Sequence, residues 1–589
     1  MYTLMTNIKK MILFNMLEDD EDDDLINPVA DDNVPRVPAR ENVDQVIPGG
    51  NRTDNVHVAP AAVAMEQPPD TIRRSLRTFN KEHGASVYIV SLPRSRHNDL
   101  DCMKAKEEEL KKLQDFQVYD EVENLGQTCI STRWILWEKG ENKDVRARLV
   151  ARGFEEDLDV PIDSPTVNRC TMRMMLAVSV AKNWTVKATD IKSAFLQGSV
   201  LQRDVYLKPP KEANVEDGVV WKLKRCLYGL NDAARKFYDS IVEELQQLGC
   251  KKSYYDPSLF SKVDNNVCSG ILVSHIDDFL HAGDAAFDDS ISKKLCRRFL
   301  SGKNVEADFK YTGYQINQTE AGIIMDQNEY VDGITVSPLS AQRAMQKNEP
   351  LNSEEATQFR SLVGSLNWLV QGTRPDLFFQ LVDLSTKFKN CTVADLIQVR
   401  KLLQKARDCK CEVLFPNLGE ISKWHLVTYA DASFANLSNG TGSCIGYVVF
   451  LVGVNDRSCP LTWKSGKAKR VVKSTLGAEA MAMLEGIEAS LYLKTMLADM
   501  LCLTMKSLPI TIITDHEGLW GHVYSTHLTE DRRLRIDLAA AKESLQKGEI
   551  QEIRLCSSAQ QLADCLTKKN ADGRRLLSVL QSGRLDLQF

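Results

Sequence analysis

Gly270-Ile-Leu-Val-Ser-His-Ile-Asp-Asp-Phe-Leu-His-Ala-Gly283 sets two adjacent carboxylates between two apolar runs, with a glycine closing each side. Apolar runs of this length read as strands. Folded at Ile276-Asp277-Asp278, they make a β-hairpin with its acids at or near the turn. Adjacent carboxylates repel, and Mg²⁺, which takes one or two carboxylates together with substrate phosphates, compensates them well. An exposed acidic turn is the plain alternative for such a pair taken alone.

Upstream, Trp184-Thr-Val-Lys-Ala-Thr-Asp-Ile-Lys-Ser-Ala-Phe195 alternates as a strand does, and Asp190 continues its apolar face. A carboxylate there needs a partner, because an unpaired buried charge is costly. A bound cation is one solution, and a strand-end Asp capping the next helix is the other. Nucleotidyl transfer needs two metal ions about 3.5–4 Å apart. One carboxylate from a strand and two from a neighbouring hairpin can hold such a pair.

Further acids recur downstream. His425-Leu-Val-Thr-Tyr-Ala-Asp-Ala-Ser433 reads as a strand ending in Asp431, followed by strands at 443–451 and 461–464. The helical stretch 478–491 has an apolar stripe of Leu484, Ile487 and Leu491, and Glu479 falls off it. A solvated helix face is the bland account of Glu479. Ile510-Thr-Ile-Ile-Thr-Asp515 is another strand ending in an acid, and Gln561–Lys568 starts a further helix carrying Asp564.

The chain has 589 residues, more than one core normally serves, and its apolar content of 43% is enough for globular cores. A net charge of -6 does not announce a nucleic-acid binder, but residues 18–24 are all acidic and bias that sum. Basic clusters lie elsewhere: Arg146, Arg148 and Arg152; Lys222, Lys224 and Arg225; Lys464, Lys467, Lys469, Arg470 and Lys473. Each is a solvated face or a phosphate track. The 15 cysteines lack the spacing of a zinc site and suit reduced thiols in an intracellular protein. No apolar run reaches the roughly 18 residues of a membrane helix.

Four segments are expected: an acidic, Pro-rich disordered linker over 1–95; α/β alternation over 96–325; a mainly helical stretch over 326–420; and a strand-rich region with helices over 421–589. Met103, Leu110 and Leu113 place a first helix early in the second segment.

The ordered set of motifs resembles copia-type (Ty1/copia) retrotransposon Pol polyproteins, in their reverse transcriptase and ribonuclease H region. It comprises Asp190-Ile-Lys-Ser-Ala-Phe-Leu-Gln-Gly198, Val205-Tyr-Leu-Lys-Pro-Pro210, Leu227-Tyr-Gly-Leu230, Ile276-Asp-Asp278 and Tyr311-Thr-Gly-Tyr314. Arg146–Phe154 is similar to the family's fingers motif, and Phe359–Trp368 with Thr373–Asp376 to the segment after its palm. Tyr429-Ala-Asp-Ala432, Ser474–Glu479, Thr514-Asp515 and Leu562-Ala-Asp564 are similar to its ribonuclease H motifs.

The resemblance implies a multidomain α/β and α+β chain: a right-hand polymerase of fingers, palm and thumb, then a ribonuclease H-like mixed sheet with helices. It makes Asp190, Asp277 and Asp278 the metal ligands of an RNA-directed DNA polymerase. It makes Asp431, Glu479, Asp515 and Asp564 those of a ribonuclease H. Two Mg²⁺ ions per centre are implied, with Mn²⁺ as a substitute. Phe195 becomes the residue that blocks a 2′-hydroxyl, with an ordinary core Phe as the alternative. Arg148 and Arg152 become a grip on the triphosphate, and Arg235 a contact to template or nucleotide. The partners implied are an RNA template, a DNA or tRNA primer, RNA–DNA hybrid and dNTPs, and upstream protease and integrase portions of a polyprotein. The expected location is a cytoplasmic virus-like particle or the nucleus, with no membrane.

Three departures stand out. His275 replaces a Tyr, Asp232 replaces a nucleotide-contacting Gln, and Arg535 replaces a His. Asp232 and Arg235, three residues apart, would share a helical face, so Asp232 is expected to orient Arg235. The rival reading is a decayed or co-opted element that binds nucleic acid without catalysis. All seven expected carboxylates are present, which argues against long decay.

Overall fold

The acidic hairpin forms where the sequence places it. In the computed structural model, which describes residues 92–587 apart from 140–142, 157–161, 438–441, 504–507 and 527–528, its two strands pair antiparallel with His275 opposite Asp278. They belong to a sheet of β1 (Lys187–Ile191), β2 (Cys250–Lys252), β3 (Leu259–Asp264), β4 (Val267–His275), β5 (Asp278–Gly283) and β6 (Ser301–Glu306). The spatial order is β6-β1-β5-β4-β3-β2. The glycines that bound the hairpin face one another across β4 and β5 and make room for the Phe287 ring. A Cβ at Gly270 or Gly283 would lie 2.1 or 2.4 Å from that ring, closer than any side chain tolerates.

Helix α1 (Arg169–Ala181) precedes β1 in sequence, and α2 (Ala233–Gln247) lies between β1 and β2. Of the expected linker, residues 1–91 lie outside the described residues. Its last residues are structured: Leu92 N–H donates to the Leu136 carbonyl, and Arg94–Arg96 form a 3₁₀ turn. Arg96 anchors that turn on Glu138, Asp99 and Asp101. The expected first helix spans Leu100–Asp115 and buries Leu110 and Leu113.

The stretch read as mainly helical carries helices at Ser353–Gly372, Phe378–Ser385 and Val393–Asp408. Capping boxes at Asn352/Glu355 and Thr392/Asp395 start the first and third of them. The strand Glu412–Pro416 then returns to pair with Gly322–Asp326, so one small sheet spans the border drawn at residue 325.

The C-terminal sheet is built from β7 (His425–Ser433), β8 (Cys444–Val452), β9 (Ser458–Lys467), β10 (Ile510–Thr514) and β11 (Glu552–Leu555), in order β9-β8-β7-β10-β11. Strand β10 runs parallel to β7 and β11, and the other pairs are antiparallel. The long helix α3 (Thr475–Leu501) packs on β7 and β8. The fold is thus mixed α/β, as expected. One continuous apolar core runs from Met174 and Val273 through Phe359 and Leu403 into Val449 and Ile512. Among the described residues, no helix is long and apolar enough to cross a membrane.

Candidate active sites

The first carboxylate centre is set by strand register. Asp190 on β1 lies directly opposite Asp278 on β5. The Asp277 carbonyl accepts from Ile191 N–H at 2.9 Å, which ties the hairpin turn to β1. Ile276 holds φ at 60° in that turn, a conformation a β-branched residue rarely adopts, so the fold must impose it. Gly302 on β6 leaves space for Asp190, since a Cβ there would stand 2.4 Å from its Oδ2. Behind the acids, the buried Tyr311 hydroxyl has no hydrogen-bond partner. Burial, and then the charge of Asp278, push its pKa well up. Asp190 and Asp278 thus share a cross-strand position with Asp277 in the adjoining turn, hard-oxygen donors of the kind Mg²⁺ takes, but among the described residues these three do not gather within 4.8 Å of one another as the acids of the second centre do.

A cationic and aromatic wall stands beside these acids. Arg148 comes from the hairpin Thr132–Lys139/Asp144–Ala151. That hairpin is clasped to residues 228–231: Ala151 N–H donates to the Tyr228 carbonyl and Asn231 Nδ2 to the Gly153 carbonyl, both at 2.8 Å. Gly229, at φ 91°, permits the close approach, as a Cβ would meet the Ala151 carbonyl at 2.1 Å. The result is that the Arg148 guanidinium lies 4.1 Å from the Tyr228 ring centroid. Phe195, half-buried on a 3₁₀ turn, packs its ring 5.4 Å from the same tyrosine. Burial raises the Tyr228 pKa, Arg148 opposes that, and Glu109 and, more weakly, Asp277 add to it. Arg152 follows at the end of this hairpin, its N–H donating to the Ser131 carbonyl.

The expected pairing of Asp232 with Arg235 is not what forms. Asp232 is fully buried, and Arg203 forks onto it at 2.9 and 3.3 Å while also holding Glu156. Arg235 bonds Asp239, one turn along α2, at 2.8 Å and lines an outer groove with Tyr238 and Lys252. Asp232 sits at the N-terminal cap position of α2 and turns inward, whereas Arg235 is on the outer face. Asp232 is therefore held in the interior by Arg203 and not by the expected Arg235. Replacing Arg203 with Ala should strand two buried carboxylates and cost about 2 kcal/mol, as Arg203 keeps part of its surface in water. Urea unfolding of the two proteins measures it, and an unchanged midpoint would contradict this reading.

The second centre gathers acids from four elements. Asp431 projects from β7, Asp515 follows β10, Glu479 lies in the first turns of α3, and Asp564 opens a short turn, Asp564–Leu566. That turn is 3₁₀ and replaces the expected helix. One carboxylate oxygen each of Asp431, Asp515 and Asp564 lies within 4.8 Å of the others. Glu479 is buried, not on a solvated face, and its Oε2 has no hydrogen-bond partner. Burial, then the charges of Asp431 and Asp515, push its pKa up. Burial likewise raises Asp431, against the pull of Lys568. A buried carboxylate oxygen without a donor beside three converging acids is a set that a divalent ion satisfies.

Three neighbours were not singled out in the sequence. Thr567 Oγ1 donates to Asp431 Oδ2, Ser558 Oγ donates to Asp515 Oδ2 at 2.8 Å, and Lys568 bridges Asp431 and Asp564. Only Lys568 carried a signal, its four-residue spacing from Asp564. Several members of the basic clusters are already paired: Lys222 with Asp204, Lys224 with Asp120, Lys464 with Glu485 and Arg470 with Asp537. Arg535 donates to the Thr529 carbonyl from the exposed face of its helix.

Residues 116–347 match the family model for reverse transcriptase (RNA-dependent DNA polymerase). The chain is 28% identical over 467 residues to the retrovirus-related Pol polyprotein from transposon RE1 of Arabidopsis thaliana, covering 75% of this chain and 31% of that protein. It is 28% identical over 434 residues to the corresponding polyprotein from transposon TNT 1-94 of Nicotiana tabacum, covering 68% and 32%. The chain thus spans about a third of the length of these relatives. Among solved structures, a foamy viral protease–reverse transcriptase in complex with double-stranded DNA aligns at 12% identity and a TM-score of 0.46, covering 83% of this chain and 79% of that one.

Proposed function

Copia-type Pol polyproteins are the family of this chain, and from that premise we propose that it copies RNA into DNA at the first centre and cleaves the RNA of RNA–DNA hybrids at the second. The observation that carries the reading is the register of Asp190 against Asp278, with Asp277 beside them in the turn. A polymerase that makes a hybrid needs its RNA strand removed before second-strand synthesis, and the convergence of Asp431, Asp515, Asp564 and Glu479 supports that second task.

On this reading residues 96–325 are fingers and palm, 326–420 thumb and connection, and 421–589 the ribonuclease H domain. Asp190, Asp277 and Asp278 would hold one metal pair, and Asp431, Glu479, Asp515 and Asp564 the other. Mg²⁺, or Mn²⁺ in its place, supplies activation of the attacking oxygen and neutralisation of the leaving group when bound. The chain's own residues do the rest. Arg148, held over the Tyr228 ring, meets the triphosphate of the incoming dNTP. Phe195 limits the space beneath its sugar. The RNA template with a DNA or tRNA primer lies along the basic clusters, with salt-dependent affinity. The setting is a particle in the cytoplasm or the nucleus.

The test is extension of a DNA primer annealed to an RNA template, with dNTPs and Mg²⁺. Extension that stops on chelation is expected. Retention of the hybrid with no extension would mark a nucleic-acid-binding protein without catalysis.

Sugar choice gives a finer check. Phe195→Val should raise ribonucleotide incorporation relative to deoxynucleotide by at least about tenfold, because one contact with the 2′ position is removed. The ratio of kcat/KM for the two nucleotides measures it. An unchanged ratio in an active enzyme would make Phe195 a packing residue only.

A further inference from the structure

A buried carboxylate keeps its charge only if something answers it. Asp431 is fully buried, and both of its oxygens are taken: Oδ2 accepts from Thr567, and Oδ1 faces Lys568 Nζ at 3.2 Å. The same ammonium sits 2.6 Å from Asp564 Oδ1. Among the described residues, Lys568 is the only cationic side chain in ion-pair distance of either acid. Its bland role is an i,i+4 pair with Asp564, which on an exposed surface is worth little. The contact to Asp431 is different, because it crosses from the last turn to the central strand and reaches an acid that water does not.

Asp431 and Asp564 are also two of the three residues whose oxygens converge. An ion bound at Asp431 would compete with Lys568 for Oδ1, the oxygen of this buried acid that Thr567 does not hold, and two cations repel at such a distance. We propose that Lys568 is a resident counter-ion of the second centre: it holds the acids together before a divalent ion arrives, and that ion must displace it. Lys568 is a positioning residue on this account, and it sets the divalent-ion concentration at which the centre fills. The inference rests on the two-metal reading of this centre.

The test is calorimetric titration of the full chain with Mn²⁺, in a background of Asp190→Asn and Asp278→Asn that silences the first centre. Lys568→Met keeps the length of the side chain and removes its charge. It should tighten the Mn²⁺ Kd by about tenfold or more, as one competing charge is lost at close range. Lys568→Arg should stay near the parent value. In thermal unfolding, added Mn²⁺ should raise the midpoint of Lys568→Met more than that of the parent, and folding of this variant only with Mn²⁺ present would be the same effect at its limit. If Lys568→Met fails to fold under both conditions, Lys568→Gln takes its place with the same expectation. A Kd equal to or weaker than the parent's, with a parental near-UV circular dichroism spectrum, overturns the proposal. A parent that binds no Mn²⁺ sensitive to Asp431→Asn would overturn the two-metal reading itself, and this inference with it.

Discussion

Asp278→Asn is expected to abolish primer extension, by roughly 10³-fold or more, and to leave hybrid cleavage near the parent rate. The substitution keeps the shape of the side chain and removes one negative charge. Asp278 faces Asp190 across β5 and β1, so the loss falls on the oxygens that would carry the metal pair. Folding should be spared, because the register of β5 with β1 and β4 is made by backbone hydrogen bonds. Asp515→Asn should do the reverse. Asp515 follows β10, in a sheet separate from β5, and among the described residues its oxygens converge with those of Asp431 and Asp564. Extension and cleavage rates of both variants, on one hybrid substrate, measure the outcome. Loss of both activities from either substitution, in a folded protein, would mean that the two centres are not independent.

Arg173→Ala is expected to destabilise the chain by about 3–5 kcal/mol. Arg173 is almost wholly buried on α1 and lies 3.9 Å from the Trp463 ring centroid on β9. Its guanidinium donates to the carbonyls of Leu461, Gln371 and Gly372. The last two are at the C-terminal end of the helix Ser353–Gly372, where carbonyls lack partners within the helix. One side chain therefore joins three parts of the chain: α1, the helical stretch and β9. Burial pulls its pKa down to about 10, so it remains charged at neutral pH. Arg173→Met should cost less than Arg173→Ala, because it keeps the packing on Trp463 and loses only the donors. Guanidinium unfolding followed by tryptophan fluorescence and by circular dichroism should give coincident transitions, each shifted to lower denaturant. A shift under about 0.5 kcal/mol would mean that Arg173 does not tie these parts together.

The hairpin acids were legible because strand alternation is local. Two apolar runs and two glycines placed Asp277 and Asp278 at a turn without knowledge of any distant residue. Asp431 and Asp515 were legible for the same reason, each falling at or just past a strand's last residues. Glu479 was misjudged by the stripe argument. Helix α3 buries six consecutive residues, Ala478 to Met483, so at this end it is enclosed on all sides and a single apolar stripe does not describe it.

Side-chain pairing across long separations was not legible at all. Asp232 and Arg203 are 29 residues apart, whereas the tempting partner Arg235 is three residues away. Local spacing favoured the wrong pair because burial, not helical geometry, decides where an acid turns. Arg173 shows the same limit, as its acceptors lie 198 to 288 residues downstream.

The most direct measurement follows both strands of one hybrid at once. A DNA primer and its RNA template carry different labels, and the full chain is added with dNTPs and Mg²⁺. The account predicts primer lengthening and template shortening in the same reaction, both stopped by chelation. A folded chain that binds the hybrid but changes neither strand would contradict it.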